Sequence, residues 1–131
     1  MEYLCKEKPH ILIADRNSHI CAFLKREMEA DGCCVSLAQN SREISLMIWQ
    51  HDLIDIMILD PDLPDIDESA LIHELKNRIP VLNVVIHTSL SDRDCASGVW
   101  RDTIVVEKSG ASIEELKRIV QGIMSANSFP P

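Results

Sequence analysis

The feature that most constrains this chain is an alternation repeated five times: a short apolar run, then an amphipathic stretch at helical spacing. The runs are Ile11-Leu12-Ile13-Ala14, Cys33 to Ala38, Ile54 to Leu59, Leu82 to Ile86 and Thr103 to Val106. They are nearly continuous in Val, Ile and Leu, the pattern of strands covered on both faces. Between them, Ile20, Phe23, Leu24 and Met28 predict one helix face, closed by Asp31-Gly32 as a stop signal. Ser41 as N-cap leads Ile44, Met47 and Ile48; Ala70, Leu71 and Leu75 form a third stripe, which Pro80 ends. Ser89 to Ser97 holds only a weak helix candidate. Ser112 and Glu115 suggest a capping box ahead of Ile113, Leu116, Ile119, Val120 and Ile123.

Parallel strands joined by helices require both sheet faces to be covered, so the expectation is an α/β three-layer sandwich. Five such units fit a doubly wound, five-stranded parallel sheet of order 2-1-3-4-5, the flavodoxin-like arrangement. The 131 residues, 46% of them hydrophobic, suffice for one domain spanning 1–131. Its body runs from about residue 9 to about 124, with a frayed tail from Asn127.

Thirteen basic residues against 21 acidic ones leave a net charge of −8, which argues against a nucleic-acid backbone or an anionic membrane as the main partner. The five cysteines include one adjacent pair, Cys33 and Cys34, and no CxxC, so small buried residues in a reducing, cytoplasmic setting are expected. No apolar run has the length of a signal peptide or a membrane span. His10, His19, His51 and His73 stand singly, without metal-ligand spacing. His87 reads as a packed residue at a strand end, and Trp49 and Trp100 as amphipathic surface anchors.

Function in an open parallel sheet sits beyond the carboxyl ends of its strands. The residues that end the runs are Asp15 with Arg16, Asp60, Thr88 with Ser89, and Lys108. The order 2-1-3-4-5 gathers Asp15, Asp60, Thr88 and Lys108 around one crevice, with Asp60 at its centre. Two carboxylates can hold a small hard cation such as Mg²⁺. A hydroxyl and an ammonium can cradle phosphoryl oxygens, and a carboxylate can accept a phosphoryl group. Each of these residues alone would read as a turn, cap or solvated side chain; their convergence is what carries the reading.

With ILIAD-R-N at Ile11 to Asn17, MILDPDLPDID at Met57 to Asp67, VVIHTS at Val84 to Ser89 and VVEKS at Val105 to Ser109, the chain resembles the receiver domain of two-component response regulators. The resemblance covers about Pro9 to Met124. It implies that Asp60 accepts a phosphoryl group from a histidine kinase or histidine phosphotransfer protein, with Thr88 and Lys108 binding its oxygens. Asp15, Asp60 and the backbone carbonyl of Asp62 would then form the Mg²⁺ site. Signalling would pass to a downstream protein through the fourth helix, fifth strand and fifth helix. Catalysis would extend no further than self-phosphorylation and self-dephosphorylation at Asp60.

Four positions depart from the family's pattern. Arg16 replaces the second acid after the first strand, which removes a carboxylate and adds a cation that weakens the metal site. Arg16 could instead pair with Asp60 or Asp15. Ser109 replaces the proline after the lysine, Glu68 the glycine of the loop, and Val105 the aromatic switch residue. The alternative reading is a pseudo-receiver, a protein-interaction module independent of phosphorylation. A flavodoxin-like cofactor binder is disfavoured, because DRNSH rather than a glycine-rich loop follows the first strand.

Overall fold

The computed structural model describes residues 8–50, 54–77, 82–89, 100 and 103–128. Its elements are β1 (His10–Ala14), α1 (Ser18–Ala30), β2 (Cys34–Ala38), α2 (Ser41–Gln50), β3 (Ile56–Leu59), α3 (Glu68–Lys76), β4 (Asn83–Thr88), β5 (Ile104–Glu107) and α4 (Ser112–Ser128). The strands form a parallel sheet in the order β2-β1-β3-β4-β5, as expected. The weak helix candidate at Ser89 to Ser97, past Ser89 itself, and the helix stop at Pro80 lie outside the described residues. The fifth helix of the sequence reading is therefore α4.

The sheet alternates its side chains between two cores. Leu12, Ala14, Met57, Leu59 and Ile86 pack against Ile44 and Ile48 of α2 and Leu71 and Leu75 of α3. Ile11, Ile13, Ile56, Ile58 and Val85 pack against Cys21, Leu24 and Met28 of α1 and Leu116 and Val120 of α4. Every side chain of β3 is buried, which is why that strand reads as an unbroken apolar run. Truncating one such residue, as in Ile58→Ala, is expected to cost about 2–5 kcal/mol.

Helix ends explain how the chain enters and leaves the sheet. Gly32 ends α1 at φ +91°, with Cys33 N–H donating to Met28 C=O at 3.1 Å and Gly32 N–H to Glu29 C=O at 3.0 Å, a Schellman closure. At α2 the expected cap moves by one residue. Asn40 Oδ1 accepts from Glu43 N–H at 2.8 Å, while the Ser41 and Arg42 N–H groups donate to the Asp65 carboxylate at 2.7 and 3.2 Å. The loop after β3 is thereby tied to the start of α2. At α4, Ser112 is the first helical residue, and its hydroxyl turns away to Ser109 C=O and His87, so the Ser112/Glu115 capping box does not form.

Two aromatic expectations are also corrected. Trp100 is no surface anchor: it is 1% exposed within the core beneath α2 and α3. Phe23, expected on the buried stripe of α1, is 43% exposed, with Arg26 lying 5.6 Å over its ring. Trp49 is exposed, as expected. Of the cysteines described, Cys21 and Cys33 are buried but Cys34 is exposed, and none is in a disulfide. No helix among the described residues is long and apolar enough to cross a membrane.

Candidate functional site

The site is assembled where β1, β3, β4 and β5 end. Two hydrogen bonds extend the ladder past the strands and fix its acidic floor: Asp15 N–H donates to Ala38 C=O at 3.0 Å and Asp60 N–H to Ala14 C=O at 2.9 Å. Each aspartate then spends one oxygen on its own loop. Asp15 Oδ1 accepts from Asn17 N–H and Asp60 Oδ1 from Asp62 N–H, both at 2.9 Å, the Asx-turn geometry that Asp favours. Asn17 in turn caps α1, accepting from His19 and Ile20 N–H at 2.9 and 3.2 Å.

This local bonding leaves Oδ2 of both acids facing the end of β5. Lys108 Nζ bridges them, 2.7 Å from Asp15 Oδ2 and 2.5 Å from Asp60 Oδ2. Thr88 Oγ1 donates to Asp60 Oδ1 at 3.2 Å, and Lys108 N–H donates to Thr88 C=O at 2.9 Å, so the two residues hold each other in register. Asp15, Asp60 and Thr88 are all buried. Burial alone would lower the Lys108 pKa, but hydrogen bonds and charge from Asp15 and Asp60 outweigh it and raise the pKa above its usual value. The ammonium is therefore permanent at neutral pH. All four residues that end the runs converge as expected.

Arg16 behaves differently from either pairing expected of it. Its Nη2 lies 3.5 Å from Asp62 Oδ2, at the rim, with the side chain 59% exposed. The reason is occupancy: the Asp60 oxygens are taken by Thr88, Asp62 N–H and Lys108, and those of Asp15 by Asn17 N–H and Lys108. Gln39 Nε2 donates to Arg16 C=O at 3.3 Å, steadying the backbone at that point. The buried Cys21 thiol donates to Asp15 C=O at 3.2 Å. Burial, then the Asp15 charge, pushes its pKa to about 11, so it stays an unreactive thiol.

The side chains that could meet a divalent cation here are Asp15 and Asp60. No group of three His, Cys, Asp or Glu side chains gathers among the described residues. Both buried carboxylates are engaged by Lys108, and the position that could supply a further acid carries Arg16.

A family model for the response regulator receiver domain matches residues 11–120. This chain belongs to that family. The receiver is 29% identical over 126 residues to the virulence transcriptional regulatory protein PhoP of Salmonella typhimurium (strain LT2), covering 90% of this chain and 53% of PhoP. It is 29% identical over 91 residues to the DNA-binding transcriptional regulator NtrC of Escherichia coli (strain K12), covering 70% of this chain and 19% of NtrC. It thus spans about half the length of PhoP.

Among solved structures, a two-component response regulator from Clostridium difficile superposes with a TM-score of 0.77 at 24% identity, covering 93% of this chain and all of that one (100%). The response regulator TrrA from Thermotoga maritima, solved with Mg²⁺-BeF, gives 0.74 at 24% identity, covering 88% and 98%. These likenesses show the fold.

Three tertiary contacts around the sheet were invisible to motif reading. Asp65 ties the loop after β3 to α2, Glu68 accepts from the Trp100 indole at 2.6 Å, and His87 contacts Ser112 at 3.1 Å. Each partner lies 23 or more positions away in sequence, beyond any local pattern.

Proposed function

We propose that the receiver takes a phosphoryl group onto Asp60 from a histidine kinase or histidine phosphotransfer protein and signals by protein–protein contact. The observation that carries this reading is the bridging of Asp15 and Asp60 by the Lys108 ammonium, with the Thr88 hydroxyl on the remaining oxygen of Asp60. One Asp60 oxygen attacks phosphorus, an aspartyl O–P bond forms, and the donor's P–N bond breaks with its electron pair remaining on the imidazole nitrogen. Lys108 and Thr88, already in contact with the attacking carboxylate, stabilise the charge that develops on the phosphoryl oxygens. Asp15 keeps the ammonium in place when Asp60 loses its negative charge. Metal ligation by Asp15, Asp60 and the Asp62 carbonyl is weak in this reading, since the acids are engaged by Lys108 and Arg16 stands at the rim.

Intact mass after incubation with acetyl phosphate, with and without Mg²⁺, tests the proposal. A phosphoryl adduct on the wild type that disappears in Asp60→Asn is expected. An adduct that survives the substitution refutes the assignment to Asp60.

A second reading, a pseudo-receiver that binds partners without phosphorylation, is favoured by Arg16 at the site's rim and by Val105, a half-exposed aliphatic on β5 where the family carries an aromatic switch. No adduct on a folded wild type supports that reading. In either case the downstream surface is read as the face of β5 and α4, the expected fourth helix lying outside the described residues, with the partner a protein rather than a nucleic acid or a membrane.

A further inference from the structure

Lys108 stands at the head of a loop whose own bonds are all short-range: Ser112 N–H donates to Ser109 C=O at 3.1 Å and Ala111 N–H to Ser109 Oγ at 3.2 Å. Ser109, Gly110 and Ala111 are all exposed, and nothing in their side chains packs against the body of the protein. The polar tie from this loop to the sheet, beyond Lys108 itself, comes from the strand that also supplies Thr88. His87, 4% exposed, places Nε2 3.1 Å from Ser112 Oγ. The Ser112 hydroxyl has a single proton, and it goes to Ser109 C=O at 2.9 Å. Toward the imidazole, Ser112 can only accept. His87 is therefore the neutral tautomer protonated at Nε2, and its Nδ1 carries a buried lone pair with no hydrogen-bond partner. An aliphatic side chain would fill this place without an orphaned nitrogen. What the imidazole adds is a donor for Ser112.

We propose that His87 is a positioning residue for Lys108: by donating to Ser112, which closes the loop on Ser109, it clamps the Lys108–Ser112 segment to β4 and keeps the ammonium between Asp15 and Asp60. The clamp and the Lys108 N–H to Thr88 C=O bond at 2.9 Å grip the two ends of the same five-residue loop from adjacent positions of one strand. The imidazole stays neutral in this role. Burial and then the Lys108 charge hold its pKa down to about 4, against an opposing pull from Asp60. This inference rests on the phosphoacceptor reading only for its catalytic consequence.

The experiment uses the ¹⁵N-labelled full chain. Long-range imidazole spectra report the His87 tautomer, and the Lys108 ammonium resonance reports its confinement. Acetyl phosphate labelling rates are measured on wild type, His87→Leu, His87→Gln and Ser112→Ala. Wild type should show His87 protonated at Nε2 only. In His87→Leu and Ser112→Ala the Lys108 resonance should shift or broaden and labelling should slow about tenfold, given that a 1 Å misplacement can cost up to ~10²-fold. His87→Gln, whose amide can still donate to Ser112, should recover most of both signals.

An Nδ1-protonated His87 overturns the proposal, as does a Lys108 resonance unchanged in Ser112→Ala. If the wild type is never labelled, the phosphoacceptor reading fails, while the tautomer and the ammonium resonance still decide the clamp. Should His87→Leu not fold, Ser112→Ala and the wild-type tautomer remain decisive.

Discussion

Replacing Lys108 by methionine removes the one positive charge between two buried carboxylates while keeping most of the side-chain volume. The size of the effect follows from geometry. Lys108 Nζ lies 2.7 and 2.5 Å from the two Oδ2 atoms. Those oxygens are therefore no more than about 5 Å apart, and at an effective dielectric of about 20 two negative charges at that distance repel by about 3 kcal/mol. The folded variant can relieve this by taking up a proton that the unfolded chain does not yet bind. Where the native state binds more protons, stability rises as pH falls.

Urea unfolding of Lys108→Met should therefore show a deficit of about 3 kcal/mol near neutral pH that shrinks on acidification. Asp15→Asn should restore most of the loss in the Lys108→Met background, although it destabilises the wild type, a strong non-additivity. Wild type loses stability in the same direction, with rising pH, but only in the alkaline range. With the Lys108 pKa raised from 10.5, its contribution is fully present below 10.5 and is lost as pH climbs through the folded value. A Lys108→Met deficit that is flat with pH, or that deepens on acidification, would refute the claim that the ammonium neutralises this pair.

The remaining outcomes concern residues away from the acidic centre. His87, held from its usual 6.5 down to about 4, should contribute stability that is complete above pH 6.5 and lost as pH falls toward 4; the wild-type loss over that window should exceed that of His87→Gln by something on the order of 3 kcal/mol, read from urea midpoints. Glu68→Ala leaves the buried Trp100 N–H, now 2.6 Å from Glu68 Oε1, without its acceptor. That should cost about 1–3 kcal/mol and shift the tryptophan emission, while the same substitution in a Trp100→Phe background should cost much less.

How much of this was legible in the sequence depends on the range of the interaction that decides each feature. Strand identity and order were legible, because Ile56 to Leu59 and their neighbours are buried on both faces and a strand so buried has no polar position to break the run. The four residues at the strand ends were legible for the same reason, since topology alone brings them together. Trp100 was not. Its surroundings in sequence are polar, and what buries it is the core beneath α2 and α3 together with a carboxylate 32 positions earlier. Phe23 was misread because a stripe drawn through Ile20, Phe23, Leu24 and Met28 is wider than the arc α1 buries, which runs through Cys21, Leu24 and Met28. At α2, Asn40 and Ser41 are both competent caps by type; Asp65 decides between them by taking the Ser41 N–H itself.

The choice of Asp62 as the partner of Arg16 sets up a last test. An exposed pair at 3.5 Å contributes little to stability, so nothing in the fold depends on Arg16. Its charge nonetheless acts on any cation approaching Asp15 and Asp60. At about 5 Å in water-like dielectric a guanidinium repels a divalent ion by about 2 kcal/mol, more than a tenfold loss of affinity, and Asp62 offsets part of it. Arg16→Asp reverses the sign of this effect and adds a hard oxygen donor beside Asp15. Calorimetric titration should show Mg²⁺ bound at least about tenfold more tightly by the variant, and metal-free unfolding should change by no more than about 0.5–1 kcal/mol. Equal Mg²⁺ affinity in the two proteins would mean that Lys108, already seated between the carboxylates, and not Arg16, is what keeps a metal out.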